Sequence, residues 1–189
     1  MDLGIVVPCY NEQAVLPETA ARLLSLLEML TQKGKISGAS KLWFVDDGSE
    51  DETWRMLESM ARQDSRVRAI KLSRNNGQQN ALLAGLLTAQ GDALVSIDAD
   101  LQDDLAVLEE MLDKFGAGSE IVYGVRKSRD KDSFAKRFTA IAFYRLMHLL
   151  GARSIFNHAD YRLMSRRAIE SLREFREVNL YLRGIVPLI

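Results

Sequence analysis

The spacing of apolar residues changes several times along the chain, and each change predicts an element. Leu3-Gly-Ile-Val-Val-Pro8 is a nearly continuous apolar run rich in β-branched residues, the pattern of a central strand. Pro8 is expected to end it, because proline has no N–H for a ladder. A helix then starts at Asn11 or in the residues up to Pro17, with Leu16, Ala20, Leu23, Leu24, Leu27 and Leu30 at helical spacing. Gly34–Ser40 reads as a loop and Lys41–Asp46 as a second strand. Ser49 and Glu52 stand at capping-box spacing, which predicts a helix start there with Trp54, Leu57, Met60 and Ala61 facing inward. Val67–Leu72 is a third strand, Ser73–Asn80 a polar turn, and a helix follows through Gln90. Leu94, Val95 and Ile97 mark a fourth strand that runs into Asp98, Asp100 and Gln102. Val107, Leu108, Met111, Leu112 and Phe115 mark another helix, and Glu120–Val125 a fifth strand. Arg126–Ser133 reads as a charged loop, Phe134–Leu150 as a helix, Asp160–Ser165 as a short strand, and the residues from Arg166 to Arg176 as a helix.

Strands that alternate with helices of this length argue for βαβ units. The fold class expected is α/β: a Rossmann-like, mostly parallel sheet with helices on both faces. The 189 residues fit one domain, 1–189, and no repeat or Pro/Gly-rich linker divides it. The apolar end, Gly184–Ile189, reads as an interrupted element.

Composition narrows the picture only a little. Hydrophobic residues at 47% and charged ones at 27% are ordinary for a soluble globular chain. The single cysteine, Cys9, rules out a disulfide framework and a cysteine-based zinc site, and reads as a small buried hydrophobe. Met1-Asp2-Leu3 runs straight into a strand, so no signal peptide is read, and no apolar run nears the ~20 residues needed to span a bilayer. Net charge is −1 but uneven: residues 1–125 carry 11 Lys/Arg against 20 Asp/Glu, and residues 126–189 carry 14 against 6. That is either two solvated faces of opposite sign or an acidic metal site beside a basic surface for an anionic partner.

The candidate chemistry sits at strand ends: Tyr10-Asn11-Glu12, Asp46-Asp47, Asn75–Gln79 and Asp98–Gln102. In an open α/β sheet these ends converge on one edge, where ligands bind. Carboxylates gathered there repel one another unless a cation or a hydrogen-bonding ligand is present. Asp98 and Asp100, one residue apart, can share a hard divalent cation, Mg²⁺ or Mn²⁺, with a diphosphate supplying further oxygens. Each residue also has a plainer reading: Asn11 as a helix cap, Asp46 and Asp47 as turn-formers before Gly48, Gly77 as a source of positive φ.

Five segments resemble the inverting nucleotide-sugar glycosyltransferases of family 2, and within them the group that loads a sugar onto a polyprenyl phosphate. They are Val7-Pro-Cys-Tyr-Asn-Glu12, Val45-Asp-Asp-Gly-Ser49, Ser73-Arg-Asn-Asn-Gly-Gln-Gln-Asn-Ala81, Asp98-Ala-Asp-Leu-Gln-Asp103 and Asp160-Tyr-Arg-Leu-Met-Ser165. The resemblance implies a GT-A fold, with residues 1–103 as the nucleotide-sugar half and 104–189 as an acceptor-side half cut short of C-terminal membrane segments. It implies that Pro8, Tyr10, Glu12 and Asp47 hold the nucleoside. Asp98, Asp100 and Gln102 would hold the metal and diphosphate, and Arg126, Lys136, Arg137 and Arg162 would bind the acceptor phosphate. Asp160 is the family's candidate general base. A lipid phosphate is already ionised near neutral pH, however, so Asp160 could instead orient Arg162 or the acceptor. The partners implied are a nucleoside-diphosphate sugar, UDP-linked in preference to GDP-linked, and a polyprenyl phosphate at the cytoplasmic face of a membrane, with no nucleic acid. His148 and His158 fall outside the pattern and read as packing or surface residues.

Three other readings compete. One is a family-2 transferase with a soluble sugar or protein acceptor. Another is a non-catalytic module that binds a nucleotide sugar. The third, a haloacid-dehalogenase-like phosphotransferase built on Asp98 and Asp100, fits poorly because Leu101-Gln102 follows the second Asp where that family has a small residue and then Thr or Val. A dinucleotide dehydrogenase is disfavoured because no Gly-x-Gly-x-x-Gly follows the first strand.

Overall fold

A strand that is buried on both faces needs apolar side chains at every position, and β1 (Leu3–Cys9) is buried throughout. It lies inside a six-stranded sheet in a computed structural model that describes residues 1–125, 158–175 and 182–189. The other strands are β2 (Lys41–Asp46), β3 (Val67–Lys71), β4 (Ala93–Ser96), β5 (Ile121–Val125) and β6 (His158–Ser165). Their order is β3-β2-β1-β4-β6-β5. β1 to β4 pair in parallel, and β6 runs antiparallel to both of its neighbours. The sheet is therefore mostly parallel, as expected. Strand order reverses between β1 and β4, which opens a crevice beyond their carboxyl ends.

Helices cover both faces. α1 (Leu16–Gln32), α2 (Thr53–Gln63) and α4 (Val107–Gly116) pack with Ile5, Val7, Phe44 and Val95 on one side. α3 (Gln78–Thr88), α5 (Arg166–Ser171) and the short α6 (Leu182–Ile185) pack with Val6, Val45, Leu94 and Met164 on the other. Along α1, Leu16, Leu23, Leu26, Leu27 and Leu30 are all buried, each on the order of 1.5–3 kcal/mol in transfer terms. Leu26 replaces Leu24, which is only partly covered, on the inner face.

Three local expectations are corrected. Pro8 does not end β1: Pro8 and Cys9 stay in register with Val45 and Asp46 of β2. The ladder to β4 stops at Val6 and Ser96, so beyond that point proline removes no sheet hydrogen bond on that side. The capping box at Ser49 and Glu52 does not form. α2 starts at Thr53 without a side-chain cap, because the Ser49 hydroxyl is taken by the backbone N–H of Asn11. The helix read from Arg166 to Arg176 is shorter, passing into a 3-10 turn at Leu172–Glu174. The loop read at Arg126–Ser133 and the helix read at Phe134–Leu150 lie outside the described residues.

Candidate active site

The loops after β1 and β2 are laced together by backbone donors and short polar side chains. The N–H of Asn11 donates to Ser49 Oγ at 2.9 Å, and that of Glu50 to Asn11 Oδ1 at 2.9 Å. The N–H of Glu12 donates to Thr53 Oγ1 at 2.9 Å, and that of Glu52 to Gln13 Oε1 at 3.1 Å. Asn11 adopts φ +55°, a conformation asparagine tolerates, and is a bridge between loops rather than a helix cap.

Asp47 then pins a third loop. One carboxylate oxygen accepts the N–H of Asn76 at 2.8 Å and the other that of Gly77 at 2.9 Å, on a side chain 2% exposed. Gly48 makes the approach feasible. It has φ +72°, and a Cβ there would stand 2.6 Å from the carbonyl carbon of Arg74. Gly77 supplies the expected positive φ, +87°, immediately before α3.

A fourth loop follows β4. Thr19 Oγ1 on α1 donates to the carbonyl of Ala99 at 2.6 Å, which fixes the turn between Asp98 and Asp100. These loops surround a cavity of about 380 Å³ lined by Pro8, Cys9, Tyr10, Glu12, Asp47, Asn75, Gly77, Gln78, Ala81, Asp98, Ala99 and Asp100. The sequence-derived donor residues Pro8, Tyr10, Glu12, Asp47, Asp98 and Asp100 thus meet in one hollow. Tyr10 is 41% exposed at its mouth, free to lie against a planar ring. Gln102 is exposed and is not part of the lining; its backbone N–H donates to Asp100 Oδ1 at 3.3 Å.

The hollow is electrostatically loaded. Burial lifts the Asp98 carboxyl above its ordinary value, and the charges of Asp160, Asp103 and Asp100 push the same way, against donation from Gln78. Glu12 is also raised, first by burial, then by Asp100, Asp51 and Asp98. Burial pushes the Cys9 thiol up as well, with Glu12 and Asp46 adding to it, so this cysteine stays neutral and serves as packing. Among the described residues no group of three or more His, Cys, Asp or Glu is placed to hold a metal. Asp98 and Asp100 bring hard carboxylate oxygens to the hollow, a pair that suits a Mg²⁺-type ion able to take its remaining ligands from substrate phosphates and water.

Asp160 lies on β6 beside this hollow and is 2% exposed. Its Oδ1 accepts from Arg162 Nη2 at 3.0 Å and its Oδ2 from Gln79 Nε2 at 3.1 Å. Two residues apart on a strand, Asp160 and Arg162 share a face. Arg162, expected at the acceptor phosphate, is 0% exposed and paired with Asp160. Arg126, Lys136 and Arg137 lie outside the described residues, as do His148 and the side chain of His158. Sequence reasoning assigned no role to Gln78 or Gln79 individually. Their position directly after Gly77, at the start of a helix, was the available signal.

Comparison with known proteins agrees with this geometry. The chain is 50% identical over 189 residues to the glycosyltransferase YkoT of Bacillus subtilis, covering 99% of this chain and 56% of that one. It is 35% identical over 187 residues to a bactoprenol glucosyl transferase of Shigella phage SfV, covering 98% of this chain and 59% of that one. The chain therefore spans little more than half the length of these curated relatives. Among solved structures, a Pyrobaculum calidifontis mannosyltransferase in complex with GDP-Man and Mn²⁺ superposes with a TM-score of 0.64 at 19% identity, covering 96% of this chain and 49% of that one. A Mycobacterium tuberculosis glucosyl-3-phosphoglycerate synthase in complex with Mn²⁺, UDP and phosphoglyceric acid gives 0.56 at 20% identity, covering 88% and 56%. These two share the GT-A architecture. The family model for glycosyl transferase family 2 matches residues 4–173, which takes in every loop of the hollow, and the chain belongs to that family.

Proposed function

We propose that this chain carries the catalytic half of an enzyme that moves a sugar, with inversion, from a nucleoside-diphosphate sugar to a polyprenyl phosphate in a divalent-metal-dependent reaction. The observation that carries the donor side is the single hollow shared by Tyr10, Glu12, Asp47, Asp98 and Asp100. Pro8, Tyr10, Glu12 and Asp47 hold the nucleoside: the ring of Tyr10 stacks on the base, and carboxylates accept base or ribose hydrogens. Asp98 and Asp100, with Gln102 beside them, would hold Mg²⁺ or Mn²⁺ together with the diphosphate. The ion, when bound, offsets negative charge on the departing nucleoside diphosphate. Two solved neighbours that contain Mn²⁺ with a nucleotide or nucleotide sugar support a metal of this kind.

The chain's own contribution is placement. The laced loops hold the donor so that the anomeric carbon presents the face opposite the diphosphate, and attack from that face inverts the centre without a covalent enzyme intermediate. A phosphate acceptor is ionised near neutral pH and needs no base. Asp160 then acts by holding a fixed pair with Arg162 next to Asp98, rather than by removing a proton. The bactoprenol glucosyl transferase relatives support a polyprenyl phosphate acceptor; in our reading Arg126, Lys136 and Arg137 bind it, at the cytoplasmic face of a membrane. No helix among the described residues is long and apolar enough to cross one. We favour a UDP-sugar as donor, with a GDP-sugar as the alternative.

The test is transfer of radiolabelled sugar from UDP-glucose, UDP-N-acetylglucosamine and GDP-mannose, with Mn²⁺, to undecaprenyl phosphate in mixed micelles, and separately to soluble sugars. Label in the lipid fraction, abolished by chelator, supports the proposal. Label only in soluble acceptors overturns the lipid assignment.

A further inference from the structure

Gln78 and Gln79 open α3, and their amides diverge. Gln78 Nε2 donates to Asp98 Oδ1 at 2.8 Å, and Gln79 Nε2 donates to Asp160 Oδ2 at 3.1 Å. Successive helical residues point roughly 100° apart, so adjacent side chains can serve two different strand ends. The turn before them is held by Asp47 through the N–H groups of Asn76 and Gly77. One helical turn therefore connects carboxylates that follow β2, follow β4 and lie within β6.

Asp98 and Asp160 are close enough for each to feel the other's charge. An ionised carboxylate can only accept, so two such groups side by side need donors to keep them apart. Glutamine supplies a donor with no formal charge, and so does not compete with a cation for the carboxylate or for a phosphate. The other end of the Gln79 amide tells against a space-filling role: its Oε1 is buried with no hydrogen-bond partner among the described residues. A buried acceptor left unpaired is unfavourable, and an apolar side chain of the same length would avoid it.

Resting on the sugar-transfer reading above, we propose that Gln79 is a positioning residue for the transfer step, holding Asp160 against Arg162, and that Gln78 holds Asp98 for donor binding. The two neighbours then have separable effects. Losing Gln79 removes one of the donors that orient Asp160 beside Arg162 and leaves the Gln78–Asp98 hydrogen bond in place. Losing Gln78 disturbs Asp98 and weakens donor binding.

The experiment compares Gln79→Met and Gln78→Met with wild type in the full-length protein. Methionine keeps the length and removes the donor. Three quantities are read: Mn²⁺-dependent affinity for UDP or GDP by calorimetry, kcat and donor KM for transfer, and melting temperature. Gln79→Met is expected to lose about 10- to 100-fold in kcat, the range for a lost hydrogen bond to a charged group, with nucleotide affinity and donor KM within about two-fold of wild type. Gln78→Met is expected to weaken Mn²⁺-dependent nucleotide affinity by about ten-fold or more. Wild-type kcat in Gln79→Met overturns the inference. So does a loss of kcat and affinity together in proportion to a fallen melting temperature, which would mark a structural role. Failure of wild type itself to bind nucleotide with Mn²⁺ would instead bring down the sugar-transfer reading, and this inference with it.

Discussion

Replacing Asp47 by Asn is the most revealing single change, because it alters one atom where two backbone donors converge. Both carboxylate oxygens accept N–H groups, from Asn76 and Gly77, at 2.8 and 2.9 Å, and the side chain is 2% exposed. Asparagine keeps one acceptor and turns an NH₂ toward the second N–H. The lost bond was charge-assisted, worth about 1.5–3 kcal/mol, and leaving its donor unpaired adds to the cost, so a destabilisation of roughly 2–4 kcal/mol is expected. For a chain of this size each kcal/mol moves the melting temperature by about 2–4 °C, so a fall of roughly 5–15 °C should be seen. Hydrogen exchange at Asn76 and Gly77 should accelerate, since those amides lose their acceptor. Nucleotide affinity should fall as well, because the same turn presents Gln78 to Asp98. An unchanged melting temperature, with the two amides as protected as in wild type, would refute the claim that Asp47 organises this loop.

Three further outcomes follow from the same geometry. Asp98 has a folded-state pKa raised above its ordinary value of 3.8, so the folded state holds the extra proton and stability falls as pH climbs from 3.8 through the raised value. Asp98→Asn should therefore melt higher than wild type at pH 7 without added cation, and thermal melts should show that advantage disappearing as pH drops toward 3.8. Gly48→Ala combines a positive φ with a Cβ 2.6 Å from backbone, whereas Gly34→Ala shares the positive φ but meets nothing within 4 Å; denaturant titration should show about 1 kcal/mol lost at Gly34 and clearly more at Gly48. Arg162→Met leaves Asp160 charged in a buried site and should cost about 3–5 kcal/mol, while pairing it with Asp160→Leu should recover part of that, as equilibrium unfolding of the three variants would show.

Much of this architecture is legible in the residues, and the exceptions have physical causes. The strand and helix pattern appears in the apolar spacing because each element is amphipathic or fully buried, and β1, buried at every position, reads as an unbroken apolar run. The meeting of Tyr10, Glu12, Asp47, Asp98 and Asp100 follows from one rule, that loops after parallel strands share an edge. The spacing of Asp160 and Arg162 likewise anticipates their contact. What the text of the chain hides is competition between tertiary partners. Ser49 has the spacing of a helix cap, yet the N–H of Asn11, 38 positions earlier, takes its hydroxyl. Arg162 carries no local sign that its guanidinium will be fully buried, since that depends on what packs over the face of β6 that it shares with Asp160. The separate partners of Gln78 and Gln79, Asp98 and Asp160, emerge only once the loop after β4 and the strand β6 are placed beside one helical turn.

The central claim is that Asp98 and Asp100 hold a divalent ion that in turn holds a nucleoside diphosphate in the hollow between β1 and β4. Calorimetric titration of UDP and GDP, with and without Mn²⁺, into wild type and Asp100→Asn tests it directly. The account predicts binding that requires Mn²⁺ in wild type and weakens by about ten-fold or more in the variant while the melting temperature stays near that of wild type. Binding that is indifferent to Mn²⁺, or equally tight in Asp100→Asn, would contradict it.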